Sequence, residues 1–85
     1  MIKKVYKFII IEEIGTSESG KTKIFSVMMK NRDVTFAELG QISYKFSWRK
    51  YAFFPHEDTC YEEICLQNIT DFLKELNGQK LEMLI

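Results

Sequence analysis

Up to Pro55 the apolar residues fall in short runs or at every second position, the period of strands; from Tyr61 onward they recur at three- and four-residue intervals, the period of a helix. Val5, Tyr6, Phe8, Ile9, Ile10 and Ile11 form a β-branched and aromatic run that ends near Ile14. Such a run predicts one strand over about residues 4–14, apolar on both faces and therefore central and covered twice. The stretch GTSESG, Gly15 to Gly20, is a turn-rich connector. A second strand follows over 21–30, with Phe25, Val27 and Met29 on one side and Ile24, Ser26 and Met28 on the other, forming a long hairpin with the first.

Asn31, Arg32 and Asp33 make the next turn. The third strand, over 38–46, points Ile42, Tyr44 and Phe46 one way and Gln41, Ser43 and Lys45 the other, so one of its sides is wet. A turn near Phe46 to Trp48 returns the chain as a fourth strand over 48–54, ended by Pro55, which has no N–H to give to a ladder. After a loop, Tyr61, Ile64, Cys65, Asn68, Ile69, Phe72, Leu73 and Leu76 mark an amphipathic helix over 61–77. Thr59 with Glu62 reads as a capping box, Glu62 and Glu63 suit the positive end of the helix dipole, and Asn77-Gly78 reads as the stop. The tail 79–85 is apolar enough to dock, as an extra edge strand or on a partner subunit. The pattern predicts an α+β domain spanning 1–85: a four-stranded antiparallel sheet, β-β-β-β-α, with one C-terminal helix packed on one face.

Composition sharpens this in three places. A chain of 85 residues has room for one core, and at that size only about 60% of the unfolded surface leaves water. The formal charge is zero, yet residues 1–50 hold ten Lys/Arg against five Asp/Glu, a balance of +5, and residues 51–85 hold two against seven, a balance of −5. The simplest use of that asymmetry is attraction between sheet and helix. No segment reaches the roughly 18 apolar residues that span a bilayer, and no signal peptide is apparent, so a cytoplasmic location is expected. Cys60 and Cys65 are too close to close a useful loop and lack a second pair for zinc; both read as reduced thiols, Cys65 as a core residue.

Gly15-Thr16-Ser17-Glu18-Ser19-Gly20-Lys21-Thr22 matches the P-loop expression GxxxxGK[ST]. A P-loop opens a helix whose N-terminus faces the phosphates, whereas the residues that follow here alternate like a strand, and no later strand ends in an Asp for Mg²⁺. The stretch therefore reads as a hairpin loop, and a minimal hydrolase built on Lys21 and Thr22 is the least favoured function. His56 is the only histidine; with Cys60 nearby it forms the minimal nucleophile and base pair, but nothing in the sequence orients its imidazole. Glu57, Asp58, Glu62 and Glu63 suit capping and solvation better than acid-base work. No catalytic residue, metal site or cofactor is expected.

Ile42 to Phe54 holds six of the twelve aromatics, Tyr44, Phe46, Trp48, Tyr51, Phe53 and Phe54, interleaved with Lys45, Arg49 and Lys50. Rings that stack bases beside cations that meet phosphates are a means of holding nucleotides and single strands. Alternation assigns at least half of these rings to the core, while Phe54 must face away from Tyr51 and Phe53. The candidate ligand residues are Tyr44, Trp48, Arg49, Lys50 and Tyr51.

The same stretch, Trp48-Arg49-Lys50-Tyr51-Ala52-Phe53-Phe54-Pro55, followed by Thr59, Tyr61, Cys65-Leu66, Ile69, Phe72, Leu73, Leu76 and Asn77, resembles a group of small proteins scattered through bacterial genomes, prophages and mobile elements. A Leu-Gly pair before the third strand belongs to that pattern, and Leu39-Gly40 matches it. The resemblance covers about residues 22–77 and implies strands followed by a helix, with the GTSESGKT stretch outside the shared pattern. It implies no particular chemistry. Ile64 stands where that group has a small or polar residue, which implies a more buried helix start.

Two functions are expected from different classes. One is a non-enzymatic binding module of phage or mobile-element origin, a homodimer, holding a nucleotide or nucleic-acid ligand on its aromatic and basic surface. The other is a protein-interaction or homo-oligomerisation domain without a small ligand, burying the sheet face that a single helix leaves bare.

Overall fold

A computed structural model describes residues 2–30 and 36–84 of the chain, with side chains described for 2–30 and 37–78. The Asn31-Arg32-Asp33 turn lies outside the described residues. Five strands, β1 (Lys3–Val5), β2 (Ile9–Thr16), β3 (Lys23–Lys30), β4 (Phe36–Lys45) and β5 (Lys50–Pro55), precede one helix, α1 (Glu63–Leu84). The strands form one antiparallel sheet in chain order, so each pairs with its sequence neighbour. The α+β class and the single C-terminal helix are as expected; the strand number is not.

The extra strand comes from the N-terminal run, which is not one strand. Tyr6, Lys7 and Phe8 turn the chain, with the Tyr6 N–H donating to the Ile9 carbonyl at 2.8 Å, and β1 folds back onto β2 through Val5↔Ile10 and Lys3↔Glu12. None of the usual turn residues occurs there, so a continuous β-branched run conceals the break. β2 is interior to the sheet, and Ile9, Ile10 and Ile11 are buried on both of its faces, although α1 packs on the Ile9 and Ile11 side alone.

Alternation sorts the side chains cleanly. Facing α1 lie the rows Ile11–Val27–Gly40–Pro55 and Glu13–Phe25–Ile42–Phe53, with Ile9 beside Met29. Ile9, Ile11, Phe25, Val27, Leu39 and Ile42 form the core with Cys65, Ile69 and Phe72 of α1, whose spacing puts them on one helical stripe. Phe25 meets the Phe72 ring edge-on at 5.1 Å. Lys4 reaches Glu75 of α1 at 3.5 Å, an exposed pair of the kind the charge asymmetry predicts.

Leu39-Gly40 does not precede a strand; it is a bulge inside β4, where Val27 pairs with Gly40, Met28 pairs with Glu38, and Leu39 is the extra residue. The Leu39 carbonyl accepts the His56 N–H at 2.8 Å and the Tyr61 hydroxyl at 2.9 Å, and its side chain is buried. Gly40 is obligatory: a Cβ there would lie 2.5 Å from the Phe54 carbonyl oxygen, 2.8 Å from Pro55 Cα and 2.9 Å from the Phe53 ring.

At the helix start the cap is Glu62 itself, whose Oε1 accepts the Cys65 N–H at 2.6 Å and whose carboxyl is thereby held below the usual carboxylate range. Thr59 is not part of a capping box; its hydroxyl donates to the His56 carbonyl at 2.8 Å. Ile64 is exposed, so the helix start is not more deeply buried at that position. Nor do Asn77 and Gly78 stop the helix. A Cβ at Gly78 would meet nothing, and Gln79 to Leu84 are strong helix formers, which together outweigh the roughly 1 kcal/mol that one helical glycine costs. Residues 79–84 therefore continue α1 and do not add a strand. Asn77 instead clamps the β5 edge: its Oδ1 accepts the Tyr51 N–H at 3.0 Å and its Nδ2 donates to the Tyr51 carbonyl at 3.3 Å. A carboxamide carries both partners that a neighbouring strand would have supplied.

Gly40→Ala is expected to destabilise the domain by about 1–3 kcal/mol, since two of the three obstructing atoms are backbone. Urea unfolding of the two proteins checks this; equal midpoints would show that the bulge relaxes freely.

Candidate functional site

The face of the sheet away from α1 follows from the same ladders. One row crosses all five strands as Lys3–Glu12–Ser26–Gln41–Phe54, a second runs Val5–Ile10–Met28–Glu38, and toward the β4–β5 turn lie Ser43 opposite Ala52 and Lys45 opposite Lys50. The face is thus divided into an apolar corner at Val5, Ile10 and Met28, a polar centre, and an aromatic and cationic end at the β4–β5 turn.

That end is built by a four-residue turn, Phe46 to Arg49, between paired Lys45 and Lys50. The Trp48 N–H donates to the Lys45 carbonyl at 3.1 Å and the Arg49 N–H to the Phe46 carbonyl at 3.2 Å, and Arg49 closes the turn in the left-handed region, φ 54°. Trp48 is 61% exposed and Phe54 42% exposed. The Lys45 ammonium stands between them, 4.8 Å from the indole and 6.0 Å from the Phe54 ring. Small Ser43 and Ala52 lie between the two ends of this patch.

The five candidate ligand residues divide accordingly. Trp48 and Arg49 are in the turn and Lys50 opens β5, all three exposed. Tyr44 and Tyr51 face α1 and pack edge-on against each other at 5.4 Å, with Tyr51 also 6.3 Å from Phe25. The Tyr51 hydroxyl accepts the Lys23 N–H at 3.2 Å, so this ring is held by the core side and is not part of the exposed patch. Phe46, expected beside Ile42 in the core, sits in the turn and is exposed, touching Tyr44 with its edge. Lys45 and Phe54 belong to the patch although neither was among the candidates. The alternation of Lys50, Ala52 and Phe54 carried the signal for Phe54.

Sequence gave no warning of the polar centre. Glu38 Oε2 accepts the Ser26 hydroxyl, Glu38 Oε1 lies 2.6 Å from His56 Nε2, and Gln41 also bonds the carboxylate. The imidazole of His56 is therefore oriented, contrary to expectation, by a residue eighteen positions away. Ser26 is almost fully buried, and the carboxylate stands between it and the imidazole, so His56 does not reach the Ser26 hydroxyl as a base would. Cys60 is exposed and Cys65 buried, both as free thiols, with burial pushing the Cys65 thiol up. Among the described residues no three His, Cys, Asp or Glu side chains come together to hold a metal ion, and no helix is long and apolar enough to cross a membrane.

Gly15 and Thr16 of the GTSESGKT stretch are still in β2, paired with Ile24 and Lys23, so the connector expected from Gly15 begins later and Ser17 to Thr22 join the β2–β3 hairpin. The Ser17 N–H donates to the Thr22 carbonyl at 2.9 Å, the Gly20 N–H donates to the Ser17 carbonyl at 2.8 Å, and Gly20 takes φ 73°. β3 follows it directly, so the loop does not open a helix as a P-loop does. No protein-family model, curated protein or solved structure gives a significant match to the chain.

The Ser26 hydroxyl, and after it His56, holds the Glu38 carboxyl below its ordinary value of 4.5. A depressed folded value contributes stability that is present above 4.5 and lost as pH falls through the lowered value. Glu38→Gln is expected to lower stability at neutral pH and to flatten its decline in acid, read from urea midpoints across that range. An unchanged acid slope would mean that the network contributes nothing to the folded state.

Proposed function

We propose that this chain is a non-enzymatic binding module that holds a nucleotide or nucleic-acid ligand on the aromatic and basic end of its open sheet face. The observation that carries the reading is the exposed pair Trp48 and Phe54 flanking Lys45, with Arg49 and Lys50 beside them. An exposed cation–π contact is worth about 0.5–1 kcal/mol. A base stacked on an aromatic ring is worth about 1–3 kcal/mol, so exchanging the ammonium for a base is favourable. The displaced Lys45 then turns its charge to the phosphate. Tyr44 and Tyr51 support the patch from the opposite side of the sheet by fixing the β4–β5 hairpin. The non-enzymatic character is supported by the hairpin form of the GTSESGKT stretch and by the engagement of Ser26 and His56 with Glu38. The likeness of the Trp48 to Asn77 pattern to small prophage and mobile-element proteins supports a phage or mobile-element origin.

A second reading, self-association as a homodimer, is favoured by the apolar edge of the same face, where Val5 is 58% exposed and Met28 half-buried beside the buried Ile10. It is compatible with the first, because the two patches lie at opposite ends of the face.

Trp48 is the only tryptophan, so its fluorescence reports the patch without a label. Adenine and guanine nucleotides and short oligonucleotides are expected to quench it saturably. By calorimetry, Arg49→Ala should weaken binding roughly ten-fold or more while the fold is retained. An absence of both quenching and heat across that panel would refute the ligand reading. Light scattering of the same samples decides the second: a dimer is expected, and a monomer at tens of micromolar contradicts it.

A further inference from the structure

The charge pattern around the patch limits what fits it. Resting on the reading above, we infer that the ligand is a mono- or dinucleotide and not an extended strand. The cations, Lys45, Arg49 and Lys50, are gathered at one end of the β4–β5 hairpin. From Lys50 to Phe54 is four residues, about 14 Å at the usual rise of ~3.4 Å per residue. Single-stranded binding domains lay about 4–16 nucleotides along a continuous basic groove.

Among the described residues the basic end has no continuation along β4 and β5. Beyond Phe54 the chain carries exposed Glu57 and Asp58, the latter fixed in the left-handed region at φ 58°. Across the face from Phe54 the same row holds Gln41, Ser26 and Glu12, and the next row toward the far end of β4 holds Glu38 with His56. Lys3, at the end of the Phe54 row, is paired with Glu12 at 3.8 Å. A polyanion running from the turn along β4 and β5 meets carboxylates as soon as it leaves the rings. A single nucleotide does not: its base lies against Trp48 and Phe54 over Ser43 and Ala52, and its phosphates remain among Lys45, Arg49 and Lys50.

The test is a length series on the intact protein, using Trp48 quenching by adenosine monophosphate, a diadenylate and oligoadenylates of increasing length at fixed salt. The expected result is an affinity that stops rising after the dinucleotide, apart from the statistical gain of overlapping sites. A salt slope that stays at about two or fewer counterions released at every length belongs to the same result. Glu57→Lys, a change in the exposed loop outside the patch, should strengthen binding of the long oligomers and leave the monophosphate unaffected. Affinity and salt slope that both climb with each added nucleotide would overturn the inference while leaving the binding reading intact. Failure of every length to quench would remove both.

Discussion

The antiparallel ladder between β2 and β3 is the constraint on which the rest of the structure depends. Its register, from Ile9↔Met29 to Thr16↔Lys23, makes the glycine-rich stretch between the strands a hairpin connection. It also decides the face of every side chain that follows, because a slip of one residue would exchange the two sides of the sheet. With that register, Phe25 and Val27 meet Phe72 and Ile69 of α1, and Ser26 and Met28 are left on the side that no helix covers. One helix buries one face. The second face keeps Trp48 and Phe54 exposed.

That second face is held in shape from the covered side. The bulge at Leu39 lets β4 pair with both neighbours while its freed carbonyl gathers the His56 N–H and the Tyr61 hydroxyl. Asn77 supplies the missing partner of edge strand β5 at Tyr51, and the edge-on contacts of Tyr44, Tyr51 and Phe25 fix the hairpin from beneath. The exposed rings at the turn thus stand on a rigid strand pair, which would lower the entropy lost in stacking on the proposed ligand. On the same face, Glu38 joins Ser26 to His56 and adds a polar centre that separates the apolar corner from the aromatic end.

Much of this was legible in the sequence wherever a period was long enough to count. The helix showed itself through Cys65, Ile69, Phe72 and Leu76, and the sides of β3 and of β4 from Gln41 to Lys45 through alternation. The features that were hidden share a cause: each depends on a partner distant in sequence or on a turn without turn residues. Tyr6-Lys7-Phe8 reverses the chain with none of the usual signals. Asn77-Gly78 spells a helix stop, but the Asn77 side chain is engaged by β5 and the following residues are good helix formers. His56 gains its orientation from Glu38, which no local pattern announces. Tyr51, a ring beside cations in the sequence, is turned to the core by the same alternation that exposes Phe54.

Two hairpin ends carry ligand-like sequences: GTSESGKT closes the β2–β3 hairpin, its Ser17 to Thr22 forming the loop, and Phe46 to Arg49 joins β4 to β5. Amide chemical-shift mapping by NMR during titration with adenosine triphosphate separates them in one measurement. The account predicts shifts concentrated at Ser43, Lys45, Trp48, Lys50, Ala52 and Phe54. Shifts concentrated instead at Gly15 to Thr22 would show that the glycine-rich hairpin, and not the open aromatic end of the sheet, receives the phosphates.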